Sequence, residues 1–210
     1  MRKMSMVLLS AAFSQDWVAD PESDFEVSLN DTSDGCIITT YTGSDRDVVI
    51  PSKIQGYPVK GIGDGAFYKC RSLASVTIPN GVTKIGVEAF CKCRSLVSIT
   101  IPDGVTEIGK WTFKDCSSLV SVVIPEGVTQ IGVSAFHGCS NLASIAIPDS
   151  VMKIGIVAFK DCSSLVTVDI APHNRKWGMG NYPSFYGCSK VSLASQAALK
   201  NAGYTVRFWF

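Results

Sequence analysis

The sequence predicts an elongated α/β solenoid: a stack of short coils, called rungs below, with a parallel β-sheet on one face and short helical or irregular turns on the other. Three observations lead to this fold class. A 23-residue phrase occurs five times in succession, each copy contains a strand-like segment, and the flanking regions do not repeat. A short fixed period is typical of solenoids, because so small a unit buries its apolar side chains only by stacking on its neighbours.

The repeated phrase occupies residues 62–170. It reads I-G-x-x-A-F-x-x-C-x-x-L-x-x-V-x-I-P-x-G-V-T-x and begins at Ile62, Ile85, Ile108, Ile131 and Ile154. Its apolar residues return at equal positions, so they are predicted to stack as buried columns. Each buried side chain of this type contributes about 1.5–3 kcal/mol. Stability should therefore grow with every added rung.

Each copy contains one predicted strand, the L-x-x-V-x-I-P segment, in which apolar residues alternate with polar ones. The proline lacks an N–H group and marks the end of the strand. The V-T-x-I-G and A-F-x-x-C segments are predicted to return the chain as a short extended piece and a helical turn.

The N-terminal end is predicted to hold a leader and a cap. Met1–Ser14 resembles a very short secretory signal peptide; the alternative is an ordinary N-terminal strand. Residues 15–61 are expected to form a cap and a first rung. Within them Phe25–Leu29 alternates, Asn30–Gly35 is rich in turn residues and Cys36–Tyr41 is strand-like, which predicts a β-hairpin.

The C-terminal end, residues 171–210, departs from the repeat. Ala171–Pro183 reads as an irregular loop, and Phe185–Leu193 as a degenerate rung. A short helix over Ser195–Ala202 and a terminal strand over Tyr204–Phe210 should complete a helix–strand cap.

Composition excludes several function classes. Only 18% of the residues are charged and the net charge is +1, which gives no electrostatic case for nucleic acid. The runs Lys69–Arg71 and Lys92–Arg94 are interpreted as solvated surface residues. The sequence has no apolar run of 18 residues or more, so no transmembrane helix is predicted.

The eight cysteines have two interpretations. A secreted protein with this many cysteines often contains disulfides. Five of them, however, share one column, and Cys188 resumes it, with side chains that run parallel instead of facing each other. Free, buried thiols are therefore favoured. No histidine lies beside the column, so no metal site is predicted, and Cys36 and Cys91 have no assigned place.

The repeat resembles a known family. The segments IGDGAFYKCRSLASVTIPNGVTKIG and DVVIPSKIQGYPVKGIG are similar to the repeat and the preceding segment of the BspA-like leucine-rich repeat, the bacterial surface-antigen type. The resemblance covers about Cys36–Ile170. It implies a leucine-rich repeat fold, a secreted or cell-surface location, and adhesion to host proteins or to other cells. The family shares no catalytic residues, so no site carries over.

Enzymatic chemistry has little support in the sequence. His137 falls at a variable position of the repeat, and His173 stands alone in the irregular loop. No G-x-S-x-G, phosphate-binding loop or H-E-x-x-H motif is present. We therefore expect a protein that is not an enzyme, with no catalytic, cofactor-binding or metal-binding residues.

Candidate partner-binding residues come from three places. The first is the outward positions of the strands, which are small and almost uncharged. The second is Trp111, which stands out in its column and either packs on neighbouring side chains or is exposed. The third is the irregular loop. The candidates are Ser75, Thr77, Ser98, Thr100, Ser121, Val123, Ser144, Ala146, Thr167, Asp169, Trp111, Trp177 and Tyr182.

Two functions remain open at this point. One is an extracellular or cell-surface module that binds a protein ligand, such as a host matrix or cell-surface protein. The other is a structural solenoid that self-associates through its end caps, with Trp209 and Phe210 in contact with another chain instead of covering the last rung. The expected state is a monomer or a weak end-to-end oligomer.

Overall fold

A computed structural model describes residues 19–170 and 184–202, and it confirms the predicted solenoid. A 3₁₀ helix at Glu22–Asp24 precedes the first strand. The strands, in chain order, are β1 (Phe25–Leu29), β2 (Cys36–Tyr41), β3 (Asp47–Val49), β4 (Lys53–Ile54), β5 (Tyr57–Ile62), β6 (Ser75–Thr77), β7 (Lys84–Ile85), β8 (Ser98–Thr100), β9 (Glu107–Ile108), β10 (Ser121–Val123), β11 (Gln130–Ile131), β12 (Ser144–Ile147), β13 (Lys153–Ile154) and β14 (Thr167–Ile170); helix α1 spans Leu193–Asn201.

The N-terminal cap is the predicted hairpin. β1 pairs antiparallel with β2, and β2 then pairs parallel with β5. The side chain of Asn30 holds the turn: its Nδ2 donates to Asp34 Oδ1 at 2.7 Å, and its Oδ1 accepts the Gly35 N–H at 3.2 Å. This pattern is common for asparagine in turns, because its short side chain bonds to nearby backbone groups.

Two parallel ladders run along the solenoid. β3, β6, β8 and β10 form one sheet, and β12 pairs with β14. On the return side, β7 pairs with β5, and β11 lies between β9 and β13 and pairs with both. The predicted extended return piece is thus a two-residue strand, and the A-F-x-x-C segment is a hydrogen-bonded turn, with bonds such as Cys70 N–H to Phe67 O at 3.1 Å.

The core is built from stacked columns, as predicted. The leucines at 73, 96, 119, 142 and 165 are all fully buried. Phenylalanine rings of adjacent rungs stack from Phe67 to Phe185, with centroids 5.0–5.6 Å apart. At the N-terminal end Tyr41 continues the stack on Phe67 at 5.1 Å. The sequence analysis did not identify that extension.

The cysteine column is a ladder of free thiols. From the second repeat onward, each Sγ donates to the carbonyl oxygen of the phenylalanine in the preceding rung: Cys93 to Phe67, Cys116 to Phe90, Cys139 to Phe113, Cys162 to Phe136 and Cys188 to Phe159, at 3.0–3.2 Å. Each thiol thus satisfies a buried carbonyl, which agrees with the favoured interpretation. Cys36 and Cys91 are also buried.

At the C-terminal end the degenerate rung and the cap helix are present. Phe185, Cys188 and Val191 are buried and continue the columns, with valine in place of leucine. Helix α1 begins two residues before the predicted Ser195, because Ser192 is its N-cap and accepts the Ser195 N–H at 3.2 Å. Ser195 Oγ in turn accepts the Val168 N–H of β14 at 3.0 Å, so the helix covers the last strand. The predicted terminal strand lies outside the described residues.

Candidate functional site

The exposed surface of the strands, called the strand face here, consists of ten outward residues from five rungs. The strand pairing places equal positions side by side, for example Ser75 beside Ser98 and Ala146 beside Asp169. Ser75 is half-buried and the other nine residues are exposed. The ten are Ser75, Thr77, Ser98, Thr100, Ser121, Val123, Ser144, Ala146, Thr167 and Asp169.

A second exposed column, which the sequence analysis missed, runs along the margin of the strand face. It contains Val97, Val120, Ala143 and Val166, called the valine row here, and backbone N–H to O bonds of 2.9–3.3 Å join its members in order. The three valines are 46%, 45% and 44% exposed. The signal was present in the sequence: an apolar residue directly follows the inward leucine in every repeat, and three of these five residues are valines.

At the C-terminal end the strand face adjoins an acidic pocket of about 310 Å³. Carboxylates of Glu126, Asp149 and Asp169 line it, together with Ala146 and Ile147. Two of these acids, Glu126 and Asp149, occupy the same turn position in adjacent repeats. The structure brings them to the same pocket as Asp169, so this end of the strand face carries negative charge.

Trp111 lies in the turn after β9, on the return side and away from the strand face. Its side chain is 37% exposed, and its N–H donates to Val133 O at 3.0 Å. Its φ of 58° is shared by its column: Gly65, Glu88, Ser134 and Val157 all have φ between 51° and 64°. The Trp111 side chain is thus partly covered and partly exposed, which leaves both of its interpretations open, and it lies apart from the other candidates.

The two loop candidates, Trp177 and Tyr182, lie outside the described residues, as does the rest of Ala171–Pro183. The structure therefore brings together the strand-face candidates, adds the valine row and the acidic pocket to them, and separates Trp111 from them.

Nucleophilic and metal chemistry has no arranged site in residues 19–170 and 184–202. Burial raises the pKa of the Cys93 and Cys139 thiols, and raises that of Cys91 to about 11, so these groups stay protonated and unreactive at neutral pH. His137 Nε2 lies 3.3 Å from Asp161 Oδ2 at the surface. No group of three His, Cys, Asp or Glu side chains in these ranges is placed to hold a metal ion.

Comparison with known families gives the class of protein. The profile of the BspA type leucine-rich repeat region matches residues 60–192 with six copies, one more than the five regular copies counted from the sequence. The sixth copy corresponds to the degenerate rung that adds Phe185 to the ring stack. The chain belongs to the BspA-type leucine-rich repeat family.

Solved structures of bacterial leucine-rich repeat proteins resemble this one. A leucine-rich repeat protein of T. pallidum is 32% identical with a TM-score of 0.76, over 91% of this chain and 99% of that one. A protein from Bacteroides ovatus is also 32% identical, with a TM-score of 0.71, over 84% of this chain and 46% of that one. A leucine-rich cell surface protein from Faecalibacterium prausnitzii is 25% identical, with a TM-score of 0.50, over 85% and 70%. Comparison with curated proteins gives no match.

Within the part of the chain that the structure describes, no helix is long and apolar enough to cross a membrane. The family and the fold are those of leucine-rich repeat proteins, which is consistent with a protein-interaction module.

Proposed function

We propose that this chain is a non-enzymatic protein-interaction module, secreted or held at a cell surface, that adheres to a host matrix or cell-surface protein through its strand face. The observation that carries the proposal is the continuity of that surface: exposed strand residues run over five rungs beside the exposed valine row. The description of the Faecalibacterium prausnitzii relative as a cell surface protein supports the location.

The composition of the strand face determines how it would bind. Serine, threonine and alanine allow a flat partner to approach the backbone closely, and covering the valine row removes apolar surface from water, worth about 25 cal/mol per Å². The face lacks the Trp, Tyr and Arg side chains that supply most binding energy at tight interfaces. Affinity should therefore be modest and summed over several rungs, with Asp169 as the one charged residue among the ten of the strand face.

A variant with three lysine substitutions on the strand face, called the triple variant below, tests the proposal. In Ser98→Lys/Thr100→Lys/Ser121→Lys the long charged side chains hold a flat partner away without touching the core. Surface plasmon resonance against a panel of purified matrix and cell-surface proteins should show a partner for the parent chain and loss of that binding in the triple variant. The matched control, Thr83→Lys/Thr106→Lys/Thr129→Lys, places the same charges at exposed return-side positions and should bind like the parent.

Equal binding by parent, triple variant and control would show that the strand face is not the site, and would direct attention to Trp111 or to the loop with Trp177 and Tyr182. Absence of binding to every protein in the panel would contradict the adhesive function itself.

One observation favours the alternative, assembly through the end caps. Leu193, at the start of α1, is 82% exposed, and exposed leucine at the end of a solenoid is suited to a contact between chains. Sedimentation velocity over a wide concentration range distinguishes the two functions. End-to-end assembly predicts larger species at high concentration that Leu193→Asp abolishes; a concentration-independent monomer contradicts it. The other predicted contacts, Trp209 and Phe210, lie outside the described residues.

A further inference from the structure

Positive charge is concentrated on one edge of the first two repeats. Lys69 and Arg71 of the first repeat, and Lys92 and Arg94 of the second, lie in the turn that leads into the strand; these four residues are called the basic edge here. Because neighbouring strands lie about 4.8 Å apart, equal positions of the two repeats are adjacent. Lys69, Arg71 and Arg94 are exposed, and Lys92 is half-buried.

The basic edge has no carboxylate partner among the described residues. The two ion pairs among the described residues lie elsewhere, in the fourth and fifth repeats. Both involve the carboxylate of Asp161, whose Oδ2 lies 3.3 Å from His137 Nε2 and 4.0 Å from Lys160 Nζ. In the fifth repeat Lys160 thus has a carboxylate at 4.0 Å, whereas none of the four cations of the basic edge forms an ion pair with a described carboxylate.

Tyr68 holds the two lysines of the basic edge close to one ring. The Nζ atoms of Lys69 and Lys92 lie 4.8 Å and 5.7 Å from the ring centroid, and Lys92 Nζ donates to Tyr68 Oη at 3.5 Å. A cation–π contact orients an ammonium group but leaves its charge unneutralised. Two like charges around one ring repel each other, and an anion bound between them would relieve that repulsion.

The nearest acidic group of the same column is directed away from the basic edge. Asp115 occupies the position of Lys69 and Lys92 in the third repeat, but its carboxylate leans over the fourth. A Cβ atom built on Gly138 would lie 2.7 Å from Asp115 Oδ1. Gly138 has φ of 76° and no side chain, so it leaves room for that carboxylate. The Asp115 carboxylate thus forms no ion pair with the basic edge, although it and Glu88 lie near enough to Cys91, beside Lys92, to add to the effect of burial in raising the pKa of that thiol.

We propose that the basic edge binds a linear sulfated polysaccharide, with sulfate groups bridging the Lys69–Lys92 and Arg71–Arg94 pairs. Guanidinium groups bind sulfate through paired hydrogen bonds, and the ammonium groups act as point charges. A sulfated glycan fits better than single-stranded nucleic acid, which binds proteins largely by stacking its bases on aromatic side chains. Tyr68 is the aromatic residue on this edge, and lysine ammonium groups flank its ring. The inference concerns a different surface and does not rest on the strand face as a binding site.

The test is retention on heparin–agarose in a sodium chloride gradient, together with titration of a size-defined heparin oligosaccharide at 50 mM salt. We compare the parent chain with Lys69→Gln/Arg71→Gln/Lys92→Gln/Arg94→Gln. Each exposed ion pair contributes roughly twofold to fivefold in affinity, so the quadruple variant should bind the oligosaccharide at least about tenfold more weakly and elute at lower salt.

A charge-matched control separates a local site from non-specific attraction. Lys60→Gln/Lys84→Gln/Lys110→Gln/Lys153→Gln removes the same four charges from other parts of the surface and should elute with the parent. All substitutions are at solvent-accessible positions, and thermal melts should show that both variants fold.

Three results overturn the proposal. They are failure of the parent to bind heparin, an equal loss of affinity in both quadruple variants, and tighter binding of a single-stranded oligonucleotide than of the heparin oligosaccharide at the same salt. Binding that the basic-edge variant alone loses supports it.

Discussion

The interior and the exterior of this solenoid follow different rules, although the same 23-residue phrase encodes both. Inside, the rungs repeat their residues with few exceptions, such as Thr112 and Ser184 at the alanine position, and the phenylalanine rings stack with interplanar angles of 2–18°. The position directly after each phenylalanine varies instead: it holds Tyr68, Lys114, His137, Lys160 and Tyr186 at or near the surface, and in the second repeat the buried Cys91. Interior positions are constrained by their own copies in the adjacent rungs, whereas exterior positions are not.

Two glycine positions of the repeat show that a residue is restricted mainly by the space that the adjacent rung leaves for its side chain. In the second position of four of the five repeats, the neighbouring rung is too close for a side chain: a Cβ on Gly132, for example, would lie 2.6 Å from the carbonyl carbon of Gly109. In the fourth position the backbone has positive φ, which favours glycine, yet four of the five rungs carry other residues there. Backbone crowding thus restricts the second position at Gly63, Gly86, Gly132 and Gly155 but not at Gly109, and local strain at the fourth position is tolerated.

The largest expected difference between interior and exterior is in thiol reactivity. Cys139 is fully buried with a raised pKa, whereas Cys70, the first cysteine of the column, is partly exposed. Labelling of Cys139 requires opening of the core, so it should be at least about a thousandfold slower than in the unfolded chain. Quantitative labelling with mass-spectrometric site assignment at pH 8 should modify Cys70 first. Early labelling of Cys139, or disulfides between adjacent rungs, would contradict the ladder of free thiols.

Alanine substitutions at an interior residue and at its neighbour near the surface should differ in their effect on the free energy of unfolding. Phe113→Ala removes a ring stacked on both sides and should lower the free energy of unfolding by about 3–5 kcal/mol. Lys114→Ala, at the very next residue, should change it by less than about 0.5 kcal/mol. Urea denaturation followed by circular dichroism measures both. A loss below about 1 kcal/mol for Phe113→Ala would mean that the phenylalanine column does not stabilise the stack.

The next largest expected effect is the loss of stability when a side chain is added where the backbone of the adjacent rung is close. Gly132→Ala forces a methyl group against the neighbouring rung and should cost about 1–3 kcal/mol. Gly109→Ala is the control at the same repeat position, because its Cβ would meet nothing closer than Thr112 Oγ1 at 3.4 Å; its cost should be clearly smaller. Equal melting temperatures for the two variants would show that the close approach at Gly132 does not limit the residue there.

The smallest expected effect is the gain in stability when backbone strain at one residue is relieved. Val157 is a β-branched residue at φ 51°, a conformation that costs non-glycine residues roughly 1–2 kcal/mol. Val157→Gly should therefore raise the free energy of unfolding by up to about 1 kcal/mol. The same substitution at Val123, on an exposed strand without that strain, should lower it by about 0.5–1 kcal/mol. Destabilisation by both would show that glycine flexibility outweighs the relief of strain.

Much of the fold could be predicted because repetition makes burial visible in a single sequence. The leucine, phenylalanine and cysteine columns, the strand-ending prolines and the N-terminal hairpin all follow from local patterns and their spacing. Tyr41 was missed because it precedes the first regular copy and differs from phenylalanine by a hydroxyl group. The N-cap Ser192 was missed because the degenerate rung obscured where the helix begins.

The sequence by itself determined the number of regular rungs, the inward and outward sides of each strand, and the small, nearly uncharged character of the strand face, since all of these depend on the period of the repeat. Only the tertiary structure decided which exposed groups meet. It placed Glu126, Asp149 and Asp169 around one pocket and turned Asp115 toward Gly138, away from the basic edge. The physical reason is that the direction of an exposed side chain depends on the space left by the adjacent rung. That space cannot be read from the residue pattern of a single repeat.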